Sequence, residues 1–301
     1  MDEPLFSRKN SPVEEKIMHL KFCLFIGLFL MAFHPAQSTE WKLIWSDEFD
    51  SGQMPDPTKW DYEEGFVRNF EMQYYTRARK ENARIEDGML VIEGRKEDHP
   101  NPQFKEGSKL WNEEREKAHY TSASINTRQR MNVQYGRIEV RARLPQGRGV
   151  WPAIWMLGEK FPENPWPGCG EIDIMEFVGH DPSHIHGTVH FPKDGAHAYN
   201  GGKIETASPC ADFHLYSIEW DADKIAFFFD QICYHTFNID EAGAGESNPF
   251  RRPFYLLINL ALGGSWGGEI DDSIFPQKYL IDYVRVHQPL KASPEGSDQA
   301  K

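Results

Sequence analysis

The segment Gly170–Phe177 reads Gly-Glu-Ile-Asp-Ile-Met-Glu-Phe, so three carboxylates, Glu171, Asp173 and Glu176, stand close together among apolar residues. Mixing acidic and apolar positions in this way predicts a β-strand with one buried face and one acidic face. Glu171 and Asp173 share a face because strand side chains alternate. Glu176 comes five positions after Glu171, and in a regular strand it would point the other way. One extra residue at Ile174 or Met175, a β-bulge, returns it to the acidic side. Bulges gather next to active sites because they re-aim a side chain.

Three carboxylates on one surface repel one another, so at least one keeps its proton near neutral pH. A protonated acid beside an ionised carboxylate is what a retaining glycosidase needs. One group attacks the sugar carbon and the other protonates the leaving oxygen. The same residues could form an acidic face turned to water, or a calcium site. The flanking aromatics, Trp151, Trp155, Trp166 and Phe177, favour the catalytic alternative, since water-facing carboxylates usually lie away from bulky aromatic groups.

Other residues suit a carbohydrate cleft. Trp151 and Trp155 are four apart and share a strand face. With Trp266 they offer indole surfaces to the C–H faces of sugar rings. Most tryptophans pack in cores, which is the expectation for Trp41, Trp45, Trp60 and Trp220. Asn69, Glu71 and Gln73 alternate, and their amide and carboxylate groups suit sugar hydroxyls. His184, His186 and His190 share a strand face, but His186 and His190 lie about 13 Å apart along a strand. That is wide for one metal ion, so His190 is taken as a neighbour of the sugar or of the acid/base.

The elements that must position these groups are mostly strands. Runs over 41–46, 89–95, 122–127, 136–144, 171–178, 185–191, 214–221, 224–229, 254–260 and 279–287 read as strands separated by turns, with one short helix near 240–243. Many short strands predict an all-β sandwich. The polar residues 1–17 and the apolar run Phe22–Phe33 precede Ala36-Gln37-Ser38, which predicts a signal peptide over 1–38 cleaved near Ser38, and hence a secreted or periplasmic protein. Met18 is an alternative start. Residues 39–290 then form one catalytic domain and 291–301 a disordered tail. The formal net charge is −13, which excludes nucleic acid and anionic membranes as partners. Cys169, Cys210 and Cys233 remain after cleavage, an odd number that cannot all pair within the chain.

Beyond the carboxylate segment, several stretches occur in an order similar to one known family. They are Trp45-Ser46-Asp47-Glu48-Phe49, Asn69–Thr76, Tyr120–Ala123, Gln134–Arg137, Trp151–Leu157, His186–His190, Asn259–Gly264 and Asp282–Val286. The chain resembles glycoside hydrolase family 16, in its bulged branch and in particular the laminarinase-type endo-β-1,3-glucanases, from about Trp41 to Gln288. The resemblance implies a jelly-roll sandwich of two antiparallel sheets with an open concave cleft. It implies a monomer that cleaves a β-glucan polysaccharide by retaining double displacement, with no cofactor for catalysis. Glu171 matches the nucleophile, Glu176 the acid/base and Asp173 the assisting carboxylate. Asn69 and Glu71 match cleft positions. A structural calcium, with Glu48, the Gly88 carbonyl and Asp282 at the matching positions, is also implied. Another bulged-branch β-glycanase, acting on mixed-linkage glucan or algal galactan, and a non-catalytic glucan-binding protein are the alternatives. The charged loop Glu106–His119 and the segment Glu63–Arg68 depart from the laminarinase pattern.

Overall fold

A computed structural model describes residues 40–207 and 209–290. The expected signal peptide and C-terminal tail lie outside the described residues. In chain order the strands are β1 (Trp41–Asp47), β2 (Asp61–Tyr62), β3 (Gln73–Tyr75), β4 (Ala83–Glu86), β5 (Met89–Pro100), β6 (Lys117–Ser122), β7 (Ser124–Asn126), β8 (Gly136–Arg143), β9 (Val150–Gly158), β10 (Glu171–Glu176), β11 (His184–Lys193), β12 (Ala196–Glu205), β13 (His214–Trp220), β14 (Lys224–Phe229), β15 (Ile232–Asn238), β16 (Phe254–Leu262) and β17 (Gln277–Pro289).

They form two sheets. The larger runs β15-β14-β13-β8-β17-β5-β6-β3, with β1 on β17 and β4 on β5. The smaller runs β12-β11-β10-β9-β16-β7-β2. Pairing is antiparallel except between β3 and β6. One core lies between the sheets. It joins Ile138, Val140 and Val284 of the larger sheet to Ile154, Ile172, Val189 and Ile258 of the smaller, the sandwich expected from many short strands.

The smaller sheet has a second apolar layer. Ala153, Trp155, Leu157, Tyr255 and Leu257 cluster apart from the main core. Every residue of β9 and β16 is therefore buried. A strand covered on both faces shows no alternation, which is why the sequence pattern leaves β9 without a clear strand signal.

Two sequence expectations change in detail. The single strand expected over 122–127 is two strands in different sheets, and the chain crosses between them at the fully buried Ala123. The helix expected near 240–243 is a 3-10 turn over Ile239–Ala242, whose first turn is capped by the Asn238 side chain accepting from the Asp240 N–H. A one-turn helix, α1 (Gly264–Gly267), was not legible. Of the four tryptophans expected in the core, Trp60 and Trp220 are buried. Trp45 stands edge-on to Trp60 at 5.7 Å, partly exposed. Trp41, at the start of the first strand, is half-buried.

Candidate active site

The site is built by an irregularity in β10. Its pairing with β11 matches Asp173 to Thr188 and then Glu176 to His186, and its pairing with β9 matches Asp173 to Trp155 and then Met175 to Ile154. The ladder shifts on both sides of Ile174 and Met175. Both side chains are fully buried in the main core. Two successive residues thus face inward, and Glu176 returns to the side of Glu171 and Asp173, as expected for a bulge at this place.

The three carboxylates line one cavity of about 350 Å³, together with Arg68, Glu71, Trp151, Trp155, Trp166 and Asn259 among others. Asp173 is 4% exposed, whereas Glu171 and Glu176 keep partial access to solvent. The Trp151 indole N–H donates to Glu176 Oε1 at 3.1 Å. His190 Nε2 lies 3.2 Å from Asp173 Oδ2 and 3.9 Å from Glu171 Oε1. Asp173 Oδ2 nevertheless lacks an aligned hydrogen-bond donor.

Burial, first, drives all three carboxyls above the usual carboxylate range, and the neighbouring negative charge adds to it. Asp173 acts so on Glu171, Glu176 on Asp173, and Glu171 on Glu176. The opposing influences differ. His190, Arg68 and a hydrogen bond from Trp166 favour the ionised form of Glu171. Glu176 has the Trp151 hydrogen bond and, more weakly, His190. The three groups titrate as a set, with Glu171 pushed up to about 8 and Glu176 to about 7, so the assignment of nucleophile and acid rests on the order of the motif and not on these shifts.

A polar chain underlies the other wall of the cavity. The Trp155 indole N–H donates to Asn259 Oδ1 at 2.8 Å, and Asn259 Nδ2 donates to the Tyr75 hydroxyl at 2.9 Å. That hydroxyl donates to Glu71 Oε2 at 3.1 Å, which also accepts from Gln73 Nε2 at 2.7 Å. Asn69 Nδ2 reaches Glu71 Oε1 at 3.3 Å. Burial pushes the Glu71 carboxyl up, while Arg68 and the donors from Gln73 and Tyr75 oppose it.

The sequence-predicted residues fall as follows. Trp151, Trp155, Asn69 and Glu71 line the cavity with the carboxylates, and His190 stands beside it. Trp266 sits in α1, edge-on to Trp151 at 5.6 Å and against His186 at 5.0 Å, so it backs Trp151 rather than lining the same cavity. Asn69 and Glu71 do not belong to an alternating strand. They precede β3 in a turn where Asn69 and Phe70 both take positive φ, and Glu71 bridges to Gly263.

Arg68 and Asn259 were not singled out as site residues. Arg68 pairs with Glu63, and its guanidinium lies 4.9 Å over the Trp155 ring. Only the left-handed turn after it aims it inward, and spacing carries no signal of that. Asn259 lies in a continuous apolar run, where one buried amide is itself the signal.

The residues matching a structural calcium site are not offered as free ligands. Arg285 holds the Glu48 carboxylate through two contacts, of 3.1 and 2.9 Å. Arg141 pairs with Asp282 at 2.6 Å. Gly88 lies in the turn between β4 and β5 with φ 71°. A cation there would have to displace a guanidinium from each carboxylate, so this set does not fit the ion as placed. Cys169, Cys210 and Cys233 are all free thiols.

An antiparallel sandwich whose outer sheet face carries adjacent, partly buried carboxylates in a tryptophan-lined trough defines a carboxylate glycosidase scaffold. The chain belongs to the glycosyl hydrolases family 16, whose profile matches residues 70–285. It is 44% identical over 269 residues to a β-glucanase of Rhodothermus marinus, an alignment covering 84% of this chain and 87% of that protein. The solved laminarinase of Rhodothermus marinus superposes with a TM-score of 0.73 at 42% identity, covering 85% of this chain and all of that one. A structure reported with the endo-acting O-glycanases that human gut microbiota express to initiate mucin breakdown superposes with a TM-score of 0.77 at 39% identity. It covers 83% of this chain and 91% of its own.

Proposed function

We propose that this chain is an endo-acting glycoside hydrolase that cleaves β-1,3-glucan with retention of configuration. The observation that carries the reading is the bulge that keeps Glu171, Asp173 and Glu176 on one face while Ile174 and Met175 enter the core. The likeness to a β-glucanase and a laminarinase supports β-glucan as the substrate.

In the first displacement Glu171 attacks the anomeric carbon, and Glu176 gives its proton to the departing glycosidic oxygen. The product is a glycosyl ester on Glu171. In the second, Glu176 takes a proton from water, whose oxygen attacks the same carbon and frees Glu171. Asp173, beside both, holds negative charge and a proton within the set. Trp151 orients Glu176 through its N–H, and the polar chain from Trp155 to Glu71 presents hydrogen-bonding groups to sugar hydroxyls.

Replacing each glutamate separately by glutamine tests the assignment, and both folded variants should lose nearly all hydrolysis. Azide should rescue a small-residue variant of Glu171 with inversion and one of Glu176 with retention. The opposite pattern would exchange the roles, and near-normal activity of either glutamine variant would remove the site. A second reading, an endo-acting O-glycan hydrolase, is favoured by the likeness to the O-glycanase structure. Reducing-sugar release from laminarin, lichenan, agarose, carrageenan and mucin O-glycans separates the two.

The protein acts as a secreted monomer after cleavage near Ser38. Sequencing of the exported N-terminus and sizing by gel filtration check this. An intact N-terminus in a membrane pellet would support an anchor instead.

A further inference from the structure

One stretch of the same sheet face has no role so far. The β11–β12 ladder runs without a shift from His184↔Glu205 to Lys193↔Ala196, so its cross-strand rows continue those of β10. The rows are Glu171–His190–Tyr199, Asp173–Thr188–Gly201 and Glu176–His186–Lys203. In strands paired in this way all nine residues sit on the carboxylate side.

The middle row is low. A Cβ at Gly201 would stand 2.8 Å from Thr188 Oγ1 and 2.9 Å from the Gly187 carbonyl, so the position stays bare. The row beside it is high and aromatic. Trp166 lies 4.5 Å from His197, and His197 stacks on His190 at 5.1 Å with an interplanar angle of 21°. A 2.9 Å hydrogen bond between His190 Nδ1 and His197 Nε2 ties the two rings together. Tyr199 ends this wall, 71% exposed. On the far side of the trough stand His186 and Lys203.

An endo-acting hydrolase must hold its chain on both sides of the cleaved bond. The half-open cavity takes one side, against Trp155, Asn259 and Glu71. The chain leaving the carboxylates in the other direction meets β11 and β12. We propose that these two strands carry the second arm of the glucan cleft, a shallow trough over Thr188 and Gly201 in which Tyr199 stacks on a sugar ring. Tyr199 lies two strand spacings from Glu171, on the order of 10 Å, so only longer chains reach it. This inference rests on the glucanase reading above.

The experiment is kcat/KM for a series of β-1,3-linked oligosaccharides of increasing length, with wild type, Tyr199→Ala and Tyr199→Phe. Because Tyr199 covers no core, the melting temperatures should coincide. The loss in Tyr199→Ala should grow with chain length, reaching about three- to tenfold on the longest substrates, the range for one aromatic contact. Tyr199→Phe, which keeps the ring, should restore most of it. A loss equal at every length, or no loss at any length, overturns the second arm while leaving the glucanase reading intact. A wild type that cleaves none of the series refutes the glucanase reading itself.

Discussion

The indole N–H of Trp151 reaches Glu176 Oε1 across 3.1 Å from the neighbouring strand. Edge-on contact with Trp266 at 5.6 Å fixes the indole in turn. A carboxyl that must give up and regain a proton is thus held by a donor that favours its ionised form.

Trp151→Phe removes that donor and keeps the ring. Losing a hydrogen bond to a charged group should lower kcat/KM by about ten- to a hundredfold. Without the bond the Glu176 proton is held more tightly, so the alkaline limb of the pH–rate profile should move to higher pH. A profile unchanged in position would show that the contact does not set the protonation of Glu176.

Asp173→Asn acts on the other glutamate. After burial, the Asp173 charge is the next influence holding the Glu171 carboxyl up. An uncharged amide removes it, so Glu171 ionises more readily and the acid limb of kcat/KM should move down by about 1 pH unit or more. An unmoved limb would place the shared proton on Asp173 rather than on the glutamates.

Glu171→Gln should stabilise the fold, and the gain should depend on pH. Burial raises the Glu171 carboxyl from 4.5 to about 8, so the native state binds more protons than the unfolded chain between those values. Stability contributed by the protonated form is therefore complete below about 4.5 and is lost as pH rises toward 8. Glutamine has nothing to ionise. Thermal melts should coincide at pH 4 and separate at pH 8 by on the order of 4 kcal/mol in favour of the variant. A variant less stable than wild type at pH 8 would mean that Arg68 and His190 outweigh the burial.

The carboxylate segment was legible because its spacing broke the period of two, and only a bulge reconciles that with one acidic face. The sandwich was legible from alternating strands such as β11. β9 was not, because the main core covers one side and the Trp155 cluster the other, which erases alternation. Arg68 was hidden for a different reason. Its inward aim depends on two successive left-handed residues, Asn69 and Phe70, and backbone handedness at non-glycine positions leaves little trace in sequence.

The bulge gives the most direct test of the architecture, because two deletions in the same strand should have opposite consequences. Removing Met175 leaves Glu171, Asp173 and Glu176 at successive even spacings, so a regular strand now keeps all three on the cleft side. The cost is one fully buried side chain, about 2–5 kcal/mol by analogy with truncation in a core, and the folded variant should keep measurable hydrolysis. Removing Ile172 instead makes Glu171 adjacent to Asp173. With the bulge intact, Glu171 then turns into the core or the ladder slips, and hydrolysis should fall to the level of Glu171→Gln. Circular dichroism and a melt establish folding, and reducing-sugar release reads activity. If folded Met175-deleted protein is as inactive as Glu176→Gln, the bulge does more than re-aim Glu176, and the two inward-facing residues Ile174 and Met175 must themselves set the distance between the two glutamates.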